Sequence, residues 1–577
     1  MKRKTLFILS MSLLLPIISG CNNNDLNIEF LKEYKEGDFF DYDDFKVTSN
    51  GNSIKDFYVY NSDGDLVNDG SVINRAGNVT YTFKVEGKNE KTYEISIKNK
   101  DSSNYDIKNF TYYDLGKNAC LPSLNSTGNL NVLVIPMIIK GFEKNATDSN
   151  LERINKMFNG DSASTNFESV KSFYEKSSYG KLNLNFTVAS WFDIGKTPLE
   201  IYMERDRHYS SDSGIYYCID EAISWYKKTY NDDCTKFDND KDGLIDAVWI
   251  VNSAPNYLNY SGYDSKYSST YWGFTYWDEK NYSLANIKDP VAMNFSWCTF
   301  DFMNQGYGAT GIDAHTYIHE TGHLFGLLDY YNTTDYTLCP NGNVDMMDFN
   351  IGDHSAFSKY SLGWVKPTII KDSVTIDLNA FEDDGSCILI GGNNYNGGAF
   401  DEYFMIEYVT PTNLNNKDYT NSYKNVDRYI KGYSKNGIKI THIDSRGSYI
   451  VDGKKTLTND ANKIKENYLT NTSSNNKKYG NNTMYLSTVF PKNYESDSSS
   501  THNPIGGNYK ESDDVLYFEG DSFSMNETSK YISLMPSGSN ALNKYQESSS
   551  DEDKLNFDIS VNSLSDSKAN LTITFNK

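Results

Sequence analysis

Long hydrophobic runs are missing from all but the start of this sequence. Beyond residue 20 no apolar stretch approaches the length needed to cross a bilayer, so a soluble body is expected. Positive charge is short as well. Asp and Glu outnumber Lys and Arg by 77 to 55, a formal net charge of −22, and such a surface repels nucleic acid and other polyanions. No nucleic-acid partner is expected. Histidine and cysteine are rare, with seven of each among 577 residues. Apart from Cys21 the cysteines are Cys120, Cys218, Cys234, Cys298, Cys339 and Cys387. Their spacings match no metal motif, and as an even set they permit disulfides without revealing a pairing. No internal repeat organises the chain. Glutamate is absent altogether between Glu320 and Glu382.

What is present starts with Lys2, Arg3 and Lys4 ahead of an apolar run from Leu6 to Ile18, closed by Ile18-Ser19-Gly20-Cys21. The run is too short to span a bilayer, and its layout is that of a targeting segment. It resembles a bacterial lipoprotein signal. That resemblance implies a signal peptide over 1–20, lipidation of Cys21, and anchoring on the extracellular face of a bacterial membrane. Residues 21–29, rich in Asn and Asp, read as a flexible tether.

The length suggests about three or four domains. From 30 to 102, short alternating runs such as FYVYNSDG and NVTYTFKVEG predict a small β-sandwich. The stretches EGDFFDYDDFKV and TYEISIKN resemble a bacterial immunoglobulin-like repeat, which implies a spacer; a propeptide is the other reading. Between 120 and 368 the texture changes. NVLVIPMII and AVWIVNS are continuous apolar runs, expected as buried strands. SVKSFYEKSSYG and YYCIDEAISWYKK are expected as helices, giving a mixed α/β domain closed by SAFSKYSLGWVKP. From 369 to 577 the chain reads as β-rich, with Lys454–Asn482 and Glu495–His502 as polar surface loops.

The most informative stretch is HETGHLFGLLD, His319 to Asp329. Residues four apart share a helix face, so His319 and His323 can present both imidazoles to one ion. Glu320 is rotated about 100° from His319, beside the ion rather than on it, where it can exchange protons with water and a leaving group. His315 continues the stripe but lies about 12 Å along the axis from His323, too far to share the ion. It is assigned to the helix start or to support of a ligand.

A third ligand is needed. The absence of glutamate between Glu320 and Glu382 removes a glutamate some twenty residues downstream as that ligand. A helix continued past His323 would turn Asp329 roughly 240° away. A break at Gly326 brings it back, and glycine is the residue able to make one. Asp329 is the expected third ligand, with Asp335, Asp345, Asp348 and His354 as competitors.

H-E-x-x-H-x-x-G-x-x-D followed by VDMMDFN resembles the metzincin zinc peptidases, which implies that Met347 lies beneath the metal in a tight turn. Together with NVLVIP, SFYEKSSYGKLNLNF, DNDKDGLIDAV, SAFSKYSLGW, EYFMIEY and GIKITHID, it resembles the immune inhibitor A-like bacterial metalloproteases over about residues 120–450. The front end and the polar insertions after residue 450 depart from that pattern. The resemblance implies a multidomain α+β protein: an N-terminal immunoglobulin-like sandwich, a metzincin-like catalytic domain and a C-terminal β-rich region. It further implies a zinc endopeptidase with Glu320 as general base, acting on protein or peptide substrates. A monomer is expected. The rival from another class is a surface adhesin on a protease fold that has lost turnover.

DNDKDGLID offers Asp238, Asp240, Asp242 and Asp246 at spacings suited to calcium, with Gly243 permitting the sharp turn. It is not a complete EF-hand, since the twelfth position is Trp249. A solvated acidic loop is the plain alternative. The aromatic segment 256–277 reads equally as a packed surface subdomain or as a wall of the cleft. His442 is expected in the core or between domains. Cys120, just before the catalytic domain, could cap zinc in a latent form.

Overall fold

The computed structural model describes residues 25–100 and most of 105–576. Outside the description lie 1–24, 101–104, 120–122, 205–212, 263, 306–310, 333–338, 344, 349, 394, 421–432, 465, 468–477, 480–481, 484, 496, 498, 504–511, 526–554 and 577. Cys21, Cys120 and Asp335 are among these. Helix makes up 25% and strand 31%, so the protein is mixed α+β, with multiple sheets and several domains. It divides into two compact units, Met1–Asp101 and Ser102–Lys577.

In the first unit, one antiparallel sheet joins Leu26–Phe30, Phe45–Ser49 and Asn52–Ile54, and another joins Tyr58–Tyr60, Gly77–Lys84 and Lys91–Ile97. Period-two alternation turns Leu26, Ile28 and Val47 from one sheet, and Val79, Tyr81, Phe83 and Ile95 from the other, into one core. The first strand begins inside the stretch expected to be a tether. Leu26 and Ile28 were too few alternations to be recognised without their partner strand.

The second unit is built on a six-stranded sheet. Its order is Phe274–Trp277, Asn294–Thr299, Val248–Asn252, Gly128–Ile138, Leu182–Val188, with Phe192–Asp193 also beside Gly128–Ile138. All pairings are parallel except the outer one, between Phe274–Trp277 and Asn294–Thr299. Both faces are covered. Val132, Val134, Trp249 and Val251 point into a core shared with the helices Asp148–Asn159, Val170–Ser177 and His315–Leu324. Leu133, Ile135, Met137, Val248 and Ile250 point the other way, against Ser213–Tyr230. That is why NVLVIPMII reads as one unbroken apolar run.

A second six-stranded sheet follows, in the order Thr368–Ile369, Cys387–Gly391, Glu402–Val409, Gly437–Asp444, Ser487–Val489, with Leu516–Tyr517 also on Gly437–Asp444. One face (Leu389, Tyr403, Met405, Ile443) joins the core around the helix His315–Leu324. The other (Ile390, Phe404, Ile406, Ile440) packs on a four-stranded sheet of Val374–Asn379, Lys568–Phe575, Phe557–Leu564 and Ser522–Ser524. The expected boundary at 368/369 therefore falls inside one compact unit.

The polar stretch expected as a loop from Lys454 differs from that reading. Lys454–Thr458 pairs with Gly447–Val451 across Asp452 and Gly453, which sit at φ 49° and 74°. Asp-Gly with both residues at positive φ is a two-residue hairpin signal. The polar composition hid it.

Candidate metal centre

The helix His315–Leu324 is fixed at its start by Asp313, whose Oδ1 accepts from the His315 amide at 3.0 Å. It ends where the motif places glycine. Gly326 lies at φ 90°, its N–H donates to His323 O at 2.9 Å, and Leu327 N–H donates to Gly322 O at 3.2 Å. These bonds satisfy carbonyls left open by the last turn. A Cβ at residue 326 would also meet Tyr112 at 3.2 Å.

The break carries Asp329 back to the helix. Its Oδ1 lies 2.9 Å from His319 Nε2 and 3.1 Å from His323 Nε2. One donor atom from each of the three residues falls within 4.8 Å of the others. The remaining ring nitrogens are occupied: His319 Nδ1 faces Met346 O at 2.9 Å and His323 Nδ1 faces Leu327 O at 2.8 Å. A carbonyl only accepts, so in the neutral rings the proton sits on Nδ1 and both Nε2 lone pairs face Asp329. Three acceptors aimed at one point suit a cation, and two imidazoles with a carboxylate are a normal zinc donor set. Electrostatics agree with a shortage of positive charge. Burial would lower His323, but Asp329 outweighs it and lifts the imidazole to about 9. Burial would raise Asp329, but His323 and His319 hold it well below the usual range.

Glu320 is buried beside this group. Burial is the main reason its carboxyl is raised, with Asp329 adding to it and the two histidines opposing. Thr275 Oγ1 lies 3.2 Å from Glu320 Oε2 and 2.8 Å from Glu320 O.

Met347 is fully buried under the helix. A Cβ on Gly322 would stand 3.1 Å from its Cε and nearer still to its Sδ, so glycine lets the thioether approach the helix between the two histidines. Met347 O accepts from Tyr330 N at 2.8 Å, which ties this turn to the segment carrying Asp329.

The competing ligands are placed elsewhere in the network. Asp345 accepts from Met347 N at 2.8 Å, Ser355 N at 2.7 Å and Ser358 Oγ at 2.8 Å, and it faces His354 Nδ1 at 3.4 Å. Asp348 Oδ2 accepts from Asn343 N at 3.0 Å. His315 Nε2 faces Asn350 O at 2.9 Å. None of these joins the three-residue group.

The four aspartates of the acidic loop do come together, with carboxylate oxygens within 4.8 Å of one another. Gly243, at φ 82°, makes the turn, and its N–H donates to Asp238 Oδ2 at 2.9 Å. Burial raises Asp238; burial and then Asp240 raise Asp242 to about 7 and Asp246 well above its ordinary value. Asp240 runs the other way: burial is outweighed by Lys117 and Tyr113, whose Nζ and hydroxyl reach its Oδ2 at 2.7 and 2.5 Å.

Of the aromatic segment, Phe274–Trp277 is the outer strand of the first sheet and runs beside the histidine helix. Trp272 and Tyr276 remain partly exposed there, while Tyr271 is buried. His442 lies in the second sheet, its Nε2 3.1 Å from Glu402 Oε1. Cys218, Cys234, Cys298 and Cys387 are free and buried, Cys339 is buried as well, and no disulfide joins the described cysteines.

Sequence reasoning missed Thr275 and Gly322. Gly322 left a trace, since a glycine inside a helix costs about 1 kcal/mol and so calls for a packing reason. Thr275 left none, being 45 residues from its partner. No protein-family profile and no curated protein matches the chain.

Proposed function

We propose that the protein is a zinc endopeptidase of metzincin type that cleaves extracellular proteins or peptides. The observation that carries the reading is the convergence of His319 Nε2, His323 Nε2 and Asp329 Oδ1 beside a buried Glu320. These three residues would hold the ion. Zinc bound there would polarise a scissile carbonyl and acidify water. Glu320 would accept a proton from the attacking water and return it to the departing amine, a task suited to a carboxyl that burial raises above its ordinary range. Met347 would be the methionine of the turn beneath the metal. The outer strand Phe274–Trp277, beside Glu320, offers an edge along which an extended peptide could lie.

The remaining parts fit a surface enzyme. Cys21 would carry the lipid anchor, and the first unit would be an immunoglobulin-like spacer. Asp238, Asp240, Asp242 and Asp246 would hold a structural calcium. The protein would act as a monomer.

The test compares wild type with Glu320→Gln on casein, with and without a chelator. Wild type should cleave and stop on chelation. The variant should retain zinc and lose about 10²- to 10⁴-fold in rate. Equal cleavage by both proteins would defeat the reading.

A further inference from the structure

We infer that Thr275, supported by Ser296, is a positioning residue for the base Glu320; the inference rests on the peptidase reading above. The two hydroxyls are cross-strand partners. Thr275 and Ser296 stand opposite each other between the outer strand and its neighbour, with Oγ1 and Oγ 2.7 Å apart, and both reach toward the histidine helix. Thr275 Oγ1 lies within reach of two acceptors on one residue, Glu320 O at 2.8 Å and Glu320 Oε2 at 3.2 Å. Ser296 Oγ lies 3.4 Å from the same carbonyl.

A hydroxyl has one proton to donate. Two hydroxyls therefore have two protons for three acceptor positions: the Glu320 carbonyl, its carboxylate, and one of the hydroxyl oxygens. When the Glu320 carboxylate is charged, a bond from Thr275 to Oε2 is the stronger use of that proton, because charge-assisted bonds exceed neutral ones. Ser296 then turns to the carbonyl. The same two hydroxyls can instead place Thr275 on the closer carbonyl and Ser296 on Thr275 Oγ1, so the pair can hold or release the carboxylate by a change of hydroxyl torsion alone.

The surroundings hold the carboxylate where this exchange works. Glu320 is 6% exposed, and Cys298, fully buried, closes in beside it. Gly273 leaves the room: a Cβ there would fall 3.2 Å from Cys298 Sγ, 3.1 Å from Thr316 Cγ2 and 3.6 Å from Glu320 Oε1. Thr275 thus acts through Glu320, and its hydroxyl is not one of the three converging ligand atoms.

The experiment measures kcat, KM and bound zinc on a casein-derived peptide for wild type, Thr275→Val, Thr275→Ser and Ser296→Ala. Valine keeps the shape and removes the hydroxyl, so kcat should fall about tenfold with KM and zinc content unchanged, the scale of one hydrogen bond to a charged group. Serine should restore most of the rate, and Ser296→Ala should cost a few-fold. An unchanged kcat in Thr275→Val, a serine variant as slow as valine, or loss of zinc from Thr275→Val would each overturn the assignment. A wild type that cleaves nothing would overturn the peptidase reading and this inference with it.

Discussion

Beneath the second sheet buried carboxylates are matched by lysine ammonium groups, whereas around His319 the counter-charge to Asp329 is a proton that an imidazole can give up. Lys359 is fully buried, and its Nζ meets Asp353 Oδ2 at 2.5 Å and Tyr179 Oη at 3.0 Å, over the Tyr179 ring at 4.2 Å. Lys439 meets Glu407 Oε1 at 2.6 Å, and Glu407 Oε2 accepts from Ala356 N at 3.1 Å. Burial raises Glu382 to about 8, which favours its neutral form, and it accepts from Thr410 at 3.2 and 3.1 Å. Each ammonium has its carboxylate. At His319, His323 and Asp329 no lysine or arginine among the described residues pairs with the carboxylate; the positive charge it draws is a proton on His323, lifted to about 9, which a cation could displace. A matched set is a means of holding structure; an unmatched set is a means of holding a cation.

The contrast is sharpest at Asp329. Asp329→Ala should abolish zinc binding and reduce casein cleavage by about a thousandfold or more, while the fold, read by circular dichroism, survives. Retained zinc at one ion per chain would show that another residue supplies the third ligand. The matched set should respond in the opposite sense. Lys359→Met removes one partner and leaves Asp353 buried with its charge, a change that costs about 3–5 kcal/mol in other proteins. Thermal stability should drop markedly, yet the protein that remains folded should bind zinc normally. An unchanged melting temperature would mean that the pair does not fasten the fold.

How much of this was legible in the sequence follows from distance along the chain. His319, Glu320 and His323 are legible because one helix turn brings them together, and Gly326 makes Asp329 reachable within the next six residues. The strands NVLVIPMII and AVWIVNS are legible because burial on two faces keeps residues 132–139 and 247–251 apolar throughout. Thr275 and Ser296 are not, because register between the outer strands, not local spacing, aims them at Glu320. That the residues on either side of 368/369 share one core was unreadable for a similar reason. Alternation shows that a strand has two faces but not that one of them, through Leu389 and Met405, belongs to the core of the preceding residues. The hairpin at Asp452-Gly453 was legible and was masked by the polar residues around it.

The acidic loop lies between the two extremes and gives the smallest effect. It sets four carboxylates against one ammonium, Lys117, which reaches only Asp240. Backbone N–H groups of Asp242 and Gly243 satisfy part of Asp238, at 3.0 and 2.9 Å. If the loop resembles the group of His319, His323 and Asp329, calcium should supply the missing charge and stabilise only the folded form. At a hundredfold excess over Kd that linkage is worth about 2.7 kcal/mol, seen as a rise of a few degrees in the melting temperature. Asp242→Asn removes one ligand from the most crowded position and should cut the calcium-dependent rise while leaving zinc content intact. If calcium does not move the melting temperature of the wild type, the loop belongs with the matched set. Its carboxylates would then be held by Lys117, Tyr113 and the backbone amides, with protonation of Asp242 and Asp246 relieving the rest.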